Sequence, residues 1–312
     1  VVAKPAEDTP LTALALASLA AQAGVPPGVL NIVTASRERT PAVAAAWQAD
    51  GRVRKITFTG STAVGKLLAR GSADTLKKLS LELGGNAPFI VFEDADLDAA
   101  VNGLMAAKFR NGGQTCVSPN RVYVHEAVYE RFAEKLAARV GALKVGPATE
   151  EDSQIGPMIN LRAVEKIVAH VADAQAKGAV VLCGGERLRS LGPNYYAPTV
   201  LGEASHEMQL SHEETFGPVV PLFRFRDEDH VAALANDTPF GLAAYFYTQH
   251  LARVWRMAER LETGLVGINE GALAAEAAPF GGVKESGYGR EGSRYGLEDY
   301  MHTKYLCMGG IN

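Results

Sequence analysis

Cys116 is the residue of this sequence best suited to covalent chemistry. It lies in a polar segment, residues 111–120 (NGGQTCVSPN), directly after a glycine pair that should end a helix. A thiolate of lowered pKa in such a loop would be a good nucleophile for a carbonyl carbon. The alternative is an inert thiol, and Cys183 and Cys307, which adjoin apolar residues, fit that description. The pattern predicts a nucleophile at Cys116 and structural thiols at the other two positions.

Glu82 is the candidate general base. In residues 81–86 (LELGGN) it stands between two leucines at a predicted strand end, beside two glycines. Apolar surroundings would raise the pKa of its carboxyl group, which suits a residue that takes a proton from water. The alternative is a solvated glutamate at a sheet edge.

Residues 58–66 (FTGSTAVGK) are the candidate phosphate site. A strand runs into a glycine turn and then a helix, so backbone N–H groups at the helix start would face an anion. The spacing from Gly60 to Lys66 also fits most of a nucleoside-triphosphate loop, but Leu67 replaces the hydroxyl residue that binds Mg²⁺ there. A plain strand–turn–helix junction is the third interpretation. The histidines and cysteines lack the spacing of zinc ligands, so we expect no metal.

Strand-like and helix-like segments alternate along the chain. Helices are expected at residues 11–24, 41–50, 62–70, 97–110, 128–143 and 161–177; strands are expected at 29–33, 55–59, 79–83, 88–92, 121–125, 179–182, 219–225, 244–247 and 265–269. This order predicts an α/β fold with a mostly parallel sheet. Each of the three candidate segments lies at a junction between such elements.

The amino-acid composition indicates which kinds of binding partner and which cellular compartment to expect. Lys and Arg number 31 against 35 Asp and Glu, a net charge of −4, so no basic excess indicates nucleic-acid binding. No apolar run approaches the ~20 residues that span a bilayer. The three separated cysteines fit a reducing compartment, and we expect a cytoplasmic protein. Residues 1–5 (VVAKP) read like the interior of a domain, so we expect a further N-terminal portion, and with it any targeting signal, before them.

Together these segments resemble the aldehyde dehydrogenase superfamily. FTGST, LELGG and GQTC occur in the family's order, and EETFGP (213–218) and PFGGVKESG (279–287) add two motifs. The likeness covers essentially the whole chain. It implies part of a Rossmann-like NAD(P)-binding domain, an α/β catalytic domain and a C-terminal oligomerisation segment. We place these at residues 1–83, 84–286 and 287–312.

The resemblance implies a role for each matching residue. Cys116 would be the nucleophile, and Glu82 the base that activates water. Glu214 would bind the nicotinamide ribose, with Phe216 near the ring. The remaining cofactor contacts would be Lys4, Glu7, Gly60, Ser61, Gly65 and Leu83. Glu7 at the adenine ribose favours NAD, whereas the neighbouring Lys4 leaves NADP open.

The implied reaction oxidises an aldehyde to an acid. The Cys116 thiolate forms a thiohemiacetal, hydride leaves for the nicotinamide, and water activated by Glu82 hydrolyses the thioester. The oxyanion is held by the backbone N–H of Cys116 and by an asparagine that lies upstream of residue 1 in this family. A catalytically inactive fragment is therefore one alternative, and a nucleoside triphosphatase is another.

Within the superfamily the sequence is most similar to succinate-semialdehyde dehydrogenases. Arg110, six residues before Cys116, would line the aldehyde pocket and grip a distal carboxylate; the alternative is a surface cation at a helix end. Thr115, Ala274 and Phe280 would complete the pocket. Ala274 stands where some members use serine for that carboxylate, so glutarate semialdehyde stays an alternative. The resemblance also implies a homodimer or homotetramer.

Overall fold

The computed structural model describes residues 1–310. The chain forms two compact units: unit 1 holds residues 1–56 and 66–78, and unit 2 holds residues 57–65 and the chain from residue 79 onward. The domain boundaries inferred from the sequence stay predictions. None of the helices within residues 1–310 is long and apolar enough to cross a membrane.

The elements follow one another in an α/β order. The helices are α1 (Leu11–Gln22), α2 (Thr40–Ala49), α3 (Thr62–Ser72), α4 (Leu97–Phe109), α5 (Tyr129–Gly141), α6 (Leu161–Ala176), α7 (Gln209–His212), α8 (Glu228–Asn236), α9 (Leu251–Arg260) and α10 (Tyr295–Glu298). The strands are β1 (Val2–Ala3), β2 (Asn31–Ile32), β3 (Lys55–Thr59), β4 (Lys78–Glu82), β5 (Ala87–Val91), β6 (Pro119–His125), β7 (Val180–Cys183), β8 (Thr199–Gly202), β9 (Val219–Phe225), β10 (Phe240–Gly241), β11 (Ala243–Tyr247), β12 (Leu265–Ile268), β13 (Val283–Lys284) and β14 (Gly287–Tyr288). Two 3₁₀ turns lie at Ala73–Thr75 and Arg110–Gly113.

Unit 1 contains a short parallel pair, β1 with β2, together with α1 and α2. Neither of these helices buries a residue. The strand predicted at residues 29–33 is reduced to β2, and none of these five residues is buried. Only two residues pair there, because the turn before them is closed by the Asn31 side-chain amide, which donates to the Gly28 carbonyl at 2.8 Å.

Unit 2 is built on a seven-stranded sheet of order β12-β11-β5-β6-β9-β8-β7. Every neighbouring pair is parallel except β7 with β8. Both faces of this sheet are buried: along β5, Phe89 and Val91 enter one apolar cluster, and Ile90 and Phe92 enter the other. This is the burial expected of a parallel sheet that carries helices on both sides. The predicted fold class is confirmed.

From residue 55 onward, the predicted elements match the observed ones closely. β3 and β9 have the predicted bounds, and α4, α5 and α6 begin or end within two residues of the predicted ones. β8 was not predicted. Its four residues, TVLG, are all buried, and a run that short gives no recognisable periodicity.

Candidate active site

The candidate residues of unit 2 lie where parallel strands begin. The glycine pair of residues 84–85 precedes β5, Cys116 precedes β6, and Glu214 precedes β9. Because β5, β6 and β9 are parallel neighbours, their first residues share one sheet edge. Ligands of open α/β sheets usually bind at the opposite edge, outside the carboxyl ends of the strands. That general rule would have pointed away from this site.

The Cys116 loop is shaped by the end of α4. The helix stops at Phe109, and Asn111, Gly112 and Gly113 then take left-handed conformations with φ of 52°, 62° and 76°. Further on, the Tyr245 hydroxyl donates to the Val117 carbonyl at 2.8 Å. The loop is therefore held at both ends. Tyr245 was not among the residues predicted from the sequence.

Gly85 connects the nucleophile loop with Glu214. A Cβ on Gly85 would lie 2.3 Å from the Cys116 carbonyl oxygen, so only glycine allows this approach. The Gly85 N–H donates to Glu214 Oε1 at 3.1 Å. The LELGG and EETFGP motifs thus meet at Cys116.

The Cys116 thiol carries a raised pKa. Burial raises the pKa to about 11, the charges of Glu214 and then Glu82 contribute in the same direction, and the N–H groups of Cys116 and Val117 act against them. The expectation of a lowered pKa was wrong, because the thiol is buried and the charged groups that act on it are carboxylates. Cys183 is half-buried as predicted for a structural thiol, whereas Cys307 is exposed and does not fit that prediction.

Glu82 is buried, with 3% of its surface exposed. Burial raises the pKa of its carboxyl group to about 8, Glu291 raises it further, and Arg290 lowers it. The solvated alternative was therefore wrong, and the raised pKa expected for a general base is confirmed. Its Oε2 atom has no hydrogen-bond partner among the described residues. A water or a reacting group would satisfy that atom.

Glu214 is half-buried, and burial raises the pKa of its carboxyl group to about 7 against the lowering effect of the Gly85 N–H. Phe216, two residues on, is partly exposed in a left-handed conformation with φ of 54°. The Leu83 side chain is buried, and a Cβ on Gly65 would lie 2.5 Å from it. The absence of a Cβ at Gly65 therefore makes room for the Leu83 side chain.

The glycine turn before α3, predicted as a phosphate site, is held by two hydrogen bonds. The Gly60 N–H donates to the Glu82 carbonyl at 3.0 Å, which fixes the turn to β4. Ser61 Oγ accepts from the Val64 N–H at 3.4 Å, as a residue before a helix often does. Thus Gly60 and Ser61 adjoin the strand that carries Glu82.

In unit 1, Lys4 and Glu7 form one charged cluster. Their side chains are 3.8 Å apart, and Glu7 Oε1 also contacts Arg37 Nε at 2.9 Å. Two cations thus neutralise the carboxylate that was expected to favour NAD. The contribution of Arg37 was not predicted, because 30 residues separate it from Glu7 in the sequence.

The predicted substrate residues differ in their surroundings. Arg110 is exposed directly after α4, and its charge acts on the Tyr245 phenol. Thr115 Oγ1 is buried without a hydrogen-bond partner among the described residues. Phe280 packs, like Cys116, against the apolar cluster that contains Phe89 and Val91. Ala274 is exposed in the loop after β12.

Comparisons with known proteins find close relatives of this chain. The family model described as "Aldehyde dehydrogenase family" matches residues 1–306. A relative from Sinorhizobium fredii, named probable succinate-semialdehyde dehydrogenase (NADP(+)), is 58% identical over 100% of this chain and 63% of its own length. A glutarate-semialdehyde dehydrogenase from Pseudomonas aeruginosa is 54% identical over 99% of this chain and 63% of its own length.

A solved structure shares the fold. The crystal structure of succinate-semialdehyde dehydrogenase from Burkholderia pseudomallei superposes with a TM-score of 0.96 at 58% identity. The match covers 98% of this chain and 63% of that one. The chain therefore spans about three fifths of the length of these proteins.

Proposed function

The chain belongs to the aldehyde dehydrogenase family, and on that premise we propose that the full-length protein oxidises an aldehyde to a carboxylic acid with NAD or NADP. The observation that carries the proposal is the convergence of Cys116, Glu82 and Glu214: Glu82 ends β4 just before the glycine pair, and Gly85 of that pair approaches Cys116 and donates to Glu214. Each is buried or half-buried, and the charges of both carboxylates act on the thiol. Nothing in the family match supports the nucleoside-triphosphatase alternative.

The first step is addition of sulfur to the carbonyl carbon. Because burial raises the thiol pKa to about 11, the proton must leave Cys116 as the bond forms, and it passes to solvent water. The N–H groups of Cys116 and Val117, which lower the thiol pKa, are suited to stabilise negative charge there. When bound, the nicotinamide ring accepts the hydride, which leaves a thioester on Cys116.

The second step is hydrolysis of that thioester. Glu82 takes a proton from water, the hydroxide oxygen bonds to the acyl carbon, and the carbon–sulfur bond breaks. The products are a carboxylic acid and the regenerated Cys116 thiol. Burial keeps much of the Glu82 carboxyl group protonated below pH 8, so its carboxylate form limits this step at neutral pH.

We propose succinate semialdehyde as the substrate, with glutarate semialdehyde as the alternative. Arg110 supports an aldehyde with a distal carboxylate, since a guanidinium can bind a carboxylate through two hydrogen bonds. The names of the relatives from Sinorhizobium fredii and Pseudomonas aeruginosa correspond to these two substrates. One methylene group separates them, a difference that a pocket discriminates by only about 1–3 kcal/mol.

The cofactor preference is proposed from Glu7 and its neighbours. A carboxylate favours the free ribose hydroxyl of NAD, but Lys4 and Arg37 offset that charge and make NADP a second candidate. We further propose a cytoplasmic homodimer or homotetramer in which residues 287–312 take part in assembly.

The test is formation of reduced cofactor, followed at 340 nm with the full-length protein and succinate semialdehyde. We expect turnover by the natural protein and none by Cys116→Ala. Arg110→Ala should lose most activity toward both semialdehydes but should keep its activity toward an apolar aldehyde such as hexanal. Full activity of Cys116→Ala would overturn the proposed chemistry, and a neutral Arg110→Ala would overturn the substrate class alone.

A further inference from the structure

The backbone on both sides of Glu214 is held by one buried side chain. Asn120, 2% exposed at the start of β6, donates from Nδ2 to the Glu213 carbonyl at 2.9 Å. Its Oδ1 accepts from the Thr215 N–H at 3.1 Å. A single amide group therefore bridges the two residues that flank Glu214.

Asn120 is itself fixed from the other side. Its Nδ2 also lies 2.8 Å from Asn86 Oδ1 and 2.9 Å from the Leu210 carbonyl. Asn86, immediately after the glycine pair, donates to the Ser211 carbonyl at 2.9 Å. This buried network joins the beginnings of β5 and β6 to the segment before β9.

The side chains on both sides of Glu214 are held by helix α6. His170 is 2% exposed, and its Nδ1 lies 3.1 Å from Thr215 Oγ1. Its Nε2 lies 3.4 Å from a carboxylate oxygen of Glu213. One turn earlier, Lys166 Nζ donates to the carbonyl of Glu214.

Glu214 is left with its own carboxylate facing the glycine pair. Oε1 accepts from the Gly85 N–H, and a Cβ on Gly84 would lie 3.2 Å from Oε2. The glycine thus keeps space beside Oε2. A carboxylate whose backbone is already fixed loses less conformational entropy when a ligand hydroxyl binds to it.

We propose that Asn120 and His170 are positioning residues for the cofactor, which fix the segment 213–215 so that the Glu214 carboxylate is oriented toward a ribose hydroxyl. This inference rests on the proposed function, because it takes Glu214 as a cofactor ligand. Neither residue contacts the reacting atoms. Their loss should weaken cofactor binding and leave the chemistry at Cys116 intact.

The experiment measures the Kd of NADH and NADPH by fluorescence titration of the full-length protein. Asn120→Ala and His170→Ala should each raise the Kd about tenfold, a typical effect of losing buried hydrogen bonds. His170→Gln, whose amide group can still reach a neighbour of Glu214, should recover part of the affinity. At saturating cofactor, kcat should stay near its natural value, so that the effect appears in the KM for the cofactor.

Asn236→Ala is the matched control. Its amide also bridges two backbone groups, the Arg260 carbonyl at 2.8 Å and the Glu262 N–H at 3.0 Å, but not those beside Glu214. It should lower the melting temperature and keep the natural Kd. If Asn236→Ala weakens cofactor binding as much as Asn120→Ala does, the effect of Asn120 is only structural and the proposal is overturned.

Two further outcomes separate this inference from the proposed function. If the natural protein binds neither reduced cofactor, the proposed function fails and the inference fails with it. If the natural protein binds a reduced cofactor and both alanine variants bind it with the same Kd, only the inference fails. If Asn120→Ala does not fold, the inference is tested by comparing the cofactor affinities of His170→Ala and His170→Gln. Equal affinities of these two variants would overturn the inference.

Discussion

At the scale of single residues, burial sets the protonation of the site. Glu82 and Cys116 both lie where their charged forms are disfavoured, so the pKa of the acid and the pKa of the thiol are both raised. Neither group is fully ionised at neutral pH. Proton transfer must therefore accompany each bond change at Cys116.

The pH dependence of hydrolysis should report on Glu82. Only its carboxylate can accept a proton from water, so the steady-state rate should rise with pH through a midpoint near 8. Glu82→Gln should lower that rate about 100-fold or more and remove the rise, while keeping the initial burst of reduced cofactor. Stopped-flow absorbance at 340 nm measures both phases. A burst that disappears together with turnover would show that Glu82 acts before the thioester forms.

Alkylation of Cys116 should be slow and should keep increasing above pH 9. The reactive species is the thiolate, and burial together with Glu214 and Glu82 raises the thiol pKa to about 11. Glu214→Gln removes the largest of the charge contributions and should shift the alkylation profile to lower pH. Iodoacetamide rates, resolved by peptide mass spectrometry with Cys183 and Cys307 as internal references, provide the profile. A rate that levels off below pH 8 would contradict the prediction.

At the scale of elements, the turn before β5 determines how closely the nucleophile loop approaches. Backbone meets backbone at Gly85, whose missing Cβ makes room for the Cys116 carbonyl. The same device recurs at Gly113, where a Cβ would lie 2.3 Å from the Gly217 carbonyl oxygen. These two contacts bring the segments before β5, β6 and β9 together.

Gly85→Ala should therefore destabilise the protein and stop catalysis. The new methyl group would lie 2.3 Å from a backbone oxygen, and such overpacking typically costs about 1–3 kcal/mol. Gly156→Ala is the control, because a Cβ there meets no atom within 4 Å. Thermal unfolding and turnover should change for Gly85→Ala only. Natural activity in Gly85→Ala would show that the Cys116 loop can move away from residue 85 without loss of catalysis.

Sequence periodicity predicted most elements of unit 2 because the strands and helices there carry long apolar patterns. It overstated the strand at residues 29–33 and missed β8, both short, since a few residues carry no period. The glycine-terminated end of α4 was predictable from Gly112 and Gly113. The left-handed conformation of Asn111 next to them was not.

At the scale of the whole molecule, the motifs could be identified in the sequence, but their proximity in space could not be predicted from it. Residues 82, 116 and 214 are far apart in the chain. The order β5-β6-β9 brings Cys116 and Glu214 to one sheet edge, and Glu82, at the end of β4, adjoins the glycine pair that precedes β5. The long-range polar contacts could not be predicted either. Nothing in the sequence around Asn120 and His170 indicates that they contact Glu213 and Thr215. The raised thiol pKa also depends on partners that no local pattern shows.

Assembly can be tested at the C-terminal segment. Within the predicted oligomerisation segment, residues 300–308 form no strand. Tyr305 and Leu306 are 84% and 71% exposed. Large apolar side chains exposed together in this way are typical of interaction surfaces.

The double variant Tyr305→Asp/Leu306→Asp should lower the oligomeric state of the full-length protein, because charges at a buried apolar interface lack partners. Light scattering coupled to size-exclusion chromatography gives the mass. Leu251→Asp is the control: this leucine is 72% exposed at the first turn of α9, where an acidic side chain is favoured. A full-size oligomer in the double variant would place the interface elsewhere, and dissociation by the control as well would show that any added charge disrupts it.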